Sequence, residues 1–255
     1  MCTLVLTRHP DSPWPLIIAA NRDEMADRAS RPPGRWWDDR PEVVAGMDEV
    51  AGGSWLGVND TGVVAAILNR VGTLGPKAGK RSRGELVLEA LDHADAVDAA
   101  QALAGLDPAA YRPFNMVVAD NRDAFWLRAD GQRIGLHPIA PGLHMLSALD
   151  LDDHTSPRIA AYLARFAALD RPQPDAGAES GGDWGRWPAL MADGGTPGGD
   201  AEEAPAMCFT RASGFGTVSS SLIALPAIDL RPTPPIWLFA AGRPDRTPYQ
   251  RVPLR

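Results

Sequence analysis

Apolar and β-branched residues occur in short blocks bounded by Gly, Pro, Asn or Asp rather than in long amphipathic arrays, which is the punctuation of a strand-rich fold. Residues 3–7 suit a buried strand, and residues 16–20 form a second apolar run. Between them His9, Pro10, Asp11, Ser12, Pro13 and Pro15 cannot continue a central strand, so the pair reads as a hairpin whose loop is longer than two residues. An antiparallel return brings Asn21, Arg22, Asp23 and Glu24 back beside Cys2. Residues 31–41, rich in Pro, Trp and Arg, read as a loop. Residues 54–58 and 62–68 then form a second hairpin around Asn59, Asp60, Thr61 and Gly62, residue types that accept the positive φ of a tight turn. Asn69 falls at the end of a buried strand.

Helical patterning follows. Ser82 and Glu85 fit a capping box ahead of the apolar stripe Leu86, Leu88, Ala90 and Leu91. A second helix is expected over 94–103, and a third over 158–169 with Ile159, Tyr162, Leu163 and Phe166 on one side. Strands are expected at 114–119, 124–128, 133–137 and 144–149, then at 215–225 and 236–240. Residues 171–206 are rich in Gly, Pro, Asp and Glu and read as a flexible insertion interrupted by a short helix at 187–191. Strands, helices, strands, helix and strands in that order do not make the βαβ alternation of a parallel sheet. They predict an α+β protein, with two mainly antiparallel sheets covered by helices, in a single domain over 1–255.

Composition narrows the setting. With 45% hydrophobic and 22% charged residues the 255-residue chain has the balance of a globular protein, which argues against disorder and against a disulfide scaffold. A formal net charge of -7 gives no overall pull toward nucleic acid or an anionic bilayer. The first six residues lack a basic, long-apolar leader pattern, and no run approaches the 18 apolar residues of a membrane span; no integral membrane segment and a cytoplasmic location are expected. Only Cys2 and Cys208 are present, and neither has metal-ligand spacing with His9, His93, His137, His144 or His154, so no metal and no cofactor is expected. Lys77 and Lys80 are the only lysines, a bias given no functional weight.

The chemistry centres on Cys2. Removal of Met1 would place a thiol and a free α-amine on one residue, and that amine, with a reference pKa of about 7.7–8.0, can act as a base near neutral pH. By position alone Cys2 reads better as a small apolar residue opening a buried strand. The tetrad Asn21-Arg22-Asp23-Glu24 shifts the balance, because a nucleophilic cysteine needs a cation for its thiolate and a carboxylate to orient the amine, and the hairpin sets both types opposite it. In an extended segment Asn21 and Asp23 face one way and Arg22 and Glu24 the other, and the sequence leaves open which pair meets Cys2.

Met1-Cys2-Thr3 and Ala20-Asn21-Arg22-Asp23-Glu24 resemble the NRDE family, also called Transport and Golgi organization protein 2 homologs. The resemblance continues in order through Gly53-Ser54-Trp55-Leu56-Gly57, residues 62–69, Ser82-Arg83-Gly84-Glu85-Leu86, Phe114-Asn115 and Phe215-Gly216-Thr217 with Ser219-Ser220. It implies an N-terminal-nucleophile (Ntn) hydrolase-like αββα sandwich similar to penicillin V acylases and bile-salt hydrolases. By that more distant likeness Cys2 would be the nucleophile and Asn69 an oxyanion-hole donor, with Arg22 and Asp23 catalytic and Asn21 and Glu24 in support. Two positions depart from the family pattern. Ala148 stands where Leu-Ser-Asn is common, and Val218 where Arg often follows Gly-Thr.

Lys77, Lys80, Arg81, Ser82 and Arg83 read as a solvated loop and helix cap rather than an anion site, and Trp36, Trp37 and Trp55 as packing or loop anchors. Two functions are carried forward. One is an N-terminal-cysteine hydrolase or acyltransferase for a small amide or ester. The other is a non-catalytic carrier for lipid, acyl-coenzyme A or haem, which the resemblance brings with it. Oligomeric state is not legible in the sequence.

Overall fold

The computed structural model describes residues 2–195, 205–230 and 232–254. The chain begins with β1 (Thr3–Arg8), β2 (Leu16–Met25), β3 (Ser30–Gly34), β4 (Val43–Asp48), β5 (Leu56–Asn59) and β6 (Val64–Asn69). Helices α1 (Glu85–Leu91) and α2 (Ala96–Ala104) follow, then β7 (Phe114–Ala119), β8 (Ala124–Ala129), β9 (Ile134–Pro138) and β10 (Gly142–Leu146). After α3 (Pro157–Ala167) come β11 (Gln173–Pro174), β12 (Gly182–Asp183), α4 (Trp187–Met191), β13 (Phe215–Leu225), β14 (Ile236–Ala240) and β15 (Gln250–Arg251). Two compact units result: residues 1–28, 141–147 and 151–253 in the first, and 29–140, 148–150 and 254–255 in the second.

The first unit holds an antiparallel sheet in the order β10-β1-β2-β13-β14-β15. One face carries Val5, Ile17, Ala19, Met145, Leu222 and Ala224, buried with Ile159, Tyr162 and Phe166 of α3 and Trp187, Leu190 and Met191 of α4. Helix α3 forms where Ser156 caps it, accepting the Ile159 N–H at 3.5 Å, and Pro157 takes the first turn. Its apolar positions Ile159, Tyr162 and Phe166 then fall on the sheet side. Trp187 meets the edge of Phe166 at 5.2 Å. Each such fully buried side chain contributes about 1.5–3 kcal/mol. Residues 171–195 are tied in by the β11–β12 ladder and by buried Trp184 and Trp187; residues 196–204, the rest of the expected insertion but for Pro205 and Ala206, lie outside the described residues.

The second unit is a seven-stranded meander, β3 through β9 in order. Leu86, Val87, Ala90 and Leu91 of α1 and Ala96, Ala99, Ala100 and Leu103 of α2 cover a sheet face made by Val43, Ala45, Val63, Ala65, Met116, Val118 and Leu127. Asn59 justifies its place in the hairpin turn. Its Oδ1 accepts the N–H groups of Gly62 and Val63 at 3.0 and 2.8 Å, while its Nδ2 donates to the carbonyls of Leu91 and His93, tying the turn to the end of α1. Gly62, at φ +99°, supplies the left-handed step.

Three expectations are corrected. The Pro-rich 31–41 loop begins as strand β3, because an edge strand spares Pro32 and Pro33 any ladder donor, and its register with β4 breaks between Arg31 and Gly34. The strand expected over 144–149 stops at Leu146, and residues 148–150 group with the second unit. Finally, Ser82 and Glu85 make no capping box. Gly84 occupies the cap position with no side-chain hydrogen bond, Ser82 Oγ takes the Gly84 N–H at 3.3 Å, and the Glu85 carboxylate accepts the Tyr111 hydroxyl at 2.7 Å. Close backbone approach fixes the helix start instead: Gly84 O accepts the Ser54 N–H at 3.0 Å, and a Cβ on Gly53 would lie 2.4 Å from the Gly84 carbonyl carbon.

Candidate active site

The β1–β2 ladder pairs Thr3 with Asn21 and stops there, two residues short of Asp23. The Asp23 N–H is thus available beyond the last ladder pair, and it donates to Cys2 Sγ at 3.3 Å; the thiol in turn lies 3.5 Å from the Asp23 carbonyl oxygen. The carbonyl of Cys2 is held from the other side by Ser147 Oγ at 3.2 Å. Cys2 itself is partly exposed.

Strand alternation separates the tetrad into two faces. Asn21 and Asp23 point to the helix-covered side. Asn21 Nδ2 donates to the Met191 and Met207 carbonyls, both at 2.9 Å, and its buried Oδ1 has no partner among the described residues. Asp23 accepts Thr217 Oγ1 on Oδ1 at 2.8 Å and Arg158 Nη1 on Oδ2 at 3.1 Å, with its side chain wholly enclosed. The same Nη1 reaches Thr3 Oγ1 at 2.5 Å. Arg22 and Glu24 take the opposite face, the one Cys2 shares with Arg22 by register. Arg22 is buried and stands beside Ser219 of β13, while Glu24 accepts its neighbour Met25 N–H at 2.9 Å and faces Arg28 at 3.8 Å. Between Thr217 and Ser219 the β2–β13 register shifts, so Val218 is the extra residue of a bulge.

Burial and the negative charge of Asp23 push the Cys2 thiol above its ordinary value, and the positive charge of the chain-terminal amine, the Asp23 N–H and the Arg22 guanidinium pull it down without cancelling the rise. The thiol is therefore protonated near neutral pH and needs a base to act as a nucleophile. Cys208, buried with its sulfur 3.4 Å from Asp245 Oδ1, is also pushed up by burial and by that carboxylate.

In the second unit Asn69 ends β6 opposite Phe114 and is partly exposed. Next to it Arg70 donates to Asn115 Oδ1 and to Asp150 Oδ1, each at 2.7 Å. Asn115, fully buried, also accepts Trp126 Nε1 at 3.2 Å and donates to the Leu149 carbonyl at 2.6 Å. Burial would raise the Asp150 carboxyl, but Arg70 and Arg128 outweigh it and hold it below the usual carboxylate range. The 148–150 strap is further fixed by the Val71 N–H on the Ala148 carbonyl at 3.2 Å. The basic segment 77–83 serves its own fold. Lys80 donates to the Ala109 carbonyl, Arg83 to the Thr73 and Pro113 carbonyls, and Arg81 pairs with Glu85.

Sequence reasoning missed Arg158 and Ser147. Arg158 lies 135 residues from Asp23, and its only advance signal is that a buried carboxylate on β2 requires a cationic partner somewhere.

An α+β chain with two antiparallel sheets and a cysteine at the head of β1 defines a class. The fold is that of the Ntn hydrolases: it matches a Caenorhabditis elegans N-acylethanolamine-hydrolyzing acid amidase ortholog with a TM-score of 0.58, over 99% of this chain and 100% of that one. It matches a variant of the conjugated bile acid hydrolase of Clostridium perfringens with a TM-score of 0.52, over 98% and 96%. Both are 12% identical to this chain, so the likeness is one of fold. Within that class, the family model described as Transport and Golgi organisation 2 matches residues 1–176, and the chain belongs to this family. The Transport and Golgi organization protein 2 homolog of Bos taurus is 35% identical over 117 residues, which is 41% of this chain and 38% of the relative. The human homolog is 36% identical over 112 residues, with the same shares. The chain thus spans well under half the length of the curated relatives it matches.

Proposed function

We propose that the protein is an N-terminal-cysteine hydrolase or acyltransferase for a small amide or ester, with Cys2 as nucleophile once Met1 is removed. The observation that carries this reading is the Asp23 N–H placed on Cys2 Sγ at 3.3 Å, in a corner where Arg22 shares the Cys2 face. Because the thiol is protonated, the freed α-amine of Cys2 acts as the base and takes the Sγ proton. The sulfur then bonds to the substrate carbonyl carbon, the amine returns the proton to the leaving nitrogen or oxygen, and the C–N or C–O bond breaks to leave an acyl-thioester. Water or an acceptor nucleophile attacks that thioester, gives up a proton to the amine and releases the acyl group as Sγ regains a proton. Arg22 supplies positive charge beside the sulfur and Asp23 orients the amine, while the oxyanion-donor role of Asn69 is what the family resemblance implies. Asn21 and Glu24 support the strand that carries them.

Intact-mass analysis of protein mixed with a chromogenic short-chain acyl ester tests this directly. The expected result is a chain lacking Met1 that gains one acyl mass, and loses that adduct in Cys2→Ser or Cys2→Ala. Met1 retained throughout, or no adduct with a range of acyl lengths, would overturn the nucleophile and leave a binding role on the same fold. Thiol labelling of the native chain should modify Cys2 before the enclosed Cys208.

A further inference from the structure

We propose that Arg158 is a positioning residue for Cys2: it clamps Asp23 behind the sulfur and supplies the positive charge that a thiolate beside Asp23 requires. This rests on the reading of Cys2 as the reacting group. A single atom, Nη1, reaches Thr3 Oγ1 at 2.5 Å and Asp23 Oδ2 at 3.1 Å. Thr3 follows Cys2 on β1, and Asp23 carries on β2 the N–H that meets Sγ. One guanidinium therefore fixes both strands at the level where thiol and donor must meet. The plane of Arg158 rests on the Phe209 ring, 5.4 Å from its centroid, and only 13% of the side chain is exposed, so its direction is set by packing as well as by charge.

On Cys2 act the Asp23 charge, which opposes a thiolate, and the chain-terminal amine and Arg22, which favour one. Toward Asp23 face Arg158 from α3 and the Thr217 hydroxyl from β13. Removing the Arg158 charge leaves the Asp23 carboxylate closer to a full negative charge as seen from the sulfur. A less compensated negative charge beside the sulfur makes the thiolate harder to form. A helix-pinning arginine with no role at Cys2 would leave that equilibrium unchanged.

The test is the pH dependence of Cys2 alkylation by iodoacetamide in a Cys208→Ala background, for the parent, Arg158→Met and Arg158→Lys. In Arg158→Met the midpoint is expected to move up by about one pH unit, an approximately tenfold slower reaction at pH 7.5. Arg158→Lys, which keeps the charge on a less directional head, is expected to recover most of the shift. If Arg158→Met gives no cooperative unfolding transition, Arg158→Gln replaces it with the same expectation. A midpoint that stays or falls in a folded variant would overturn the proposal. Alkylation needs no turnover, so a parent protein that forms no acyl-thioester still gives a readable profile. An unchanged midpoint in an active enzyme would sink the role of Arg158 alone.

Discussion

The two polar corners of this molecule are built from the same parts and obey different rules. In the first unit Asp23 meets Arg158 and a threonine hydroxyl with no exposure of its side chain; in the second, Asp150 meets Arg70 and Arg128 with 42% of its side chain in solvent. Counting cations would make the Asp150 corner the stronger. Solvent reverses the order, since an enclosed charge that loses its partner cannot be rehydrated, whereas a half-exposed one can. The Asp23 corner is thus the place where one substitution propagates, and it is also where Cys2 lies.

Removing the enclosed carboxylate tests that contrast most severely. Asp23→Ala strands the Arg158 guanidinium and is expected to cost about 3–5 kcal/mol, read from urea unfolding midpoints at unchanged slope. A loss under about 1 kcal/mol would show that the corner opens to water and would erase the distinction. Thr217→Val keeps shape and deletes one hydrogen bond to the same carboxylate, for an expected loss of about 1.5–3 kcal/mol. Asn115→Ala carries the comparison to the other unit. It leaves Trp126 Nε1 and the Leu149 carbonyl without their partner, at about 1–3 kcal/mol by thermal unfolding.

The smallest effect belongs to Asp150→Asn, expected within about 1 kcal/mol and fading further in added salt. Its pH dependence has a definite sign. The folded-state carboxyl titrates below the unfolded reference of about 3.9. Its contribution is therefore present in full above that reference and disappears as pH falls through the folded value. The stability gap between parent and Asp150→Asn should accordingly close as the pH falls below the unfolded reference and through the lower folded value. A gap that instead widens in acid would mean that Asp150 is destabilised by its surroundings.

The same contrast explains what was legible in the sequence. Strands Phe114–Ala119, Phe215–Leu225 and Ile236–Ala240 fall where the apolar runs put them, because burial on a sheet is written in the local composition. The pairing of Cys2 with the tetrad was legible for a similar reason: a hairpin has one register that keeps its apolar residues together. Which pair of the tetrad turns to the helix-covered side was not, because that depends on partners outside the hairpin. Those partners, Met191, Met207, Arg158 and Thr217, lie far along the chain. Strand β3 escaped for the opposite reason, since its two prolines argue against a strand everywhere except at an edge. The Ser82 and Glu85 pattern failed because Tyr111 and Arg81 compete for the carboxylate.

The two hydrogen bonds from Asn21 to Met191 and Met207 also gather two distant points of the chain onto one amide group, two residues before Asp23 on the same strand. Asn21 thus works as a rivet: whatever loosens its hold on either methionine's backbone is felt first on the strand that carries the Asp23 N–H to the sulfur.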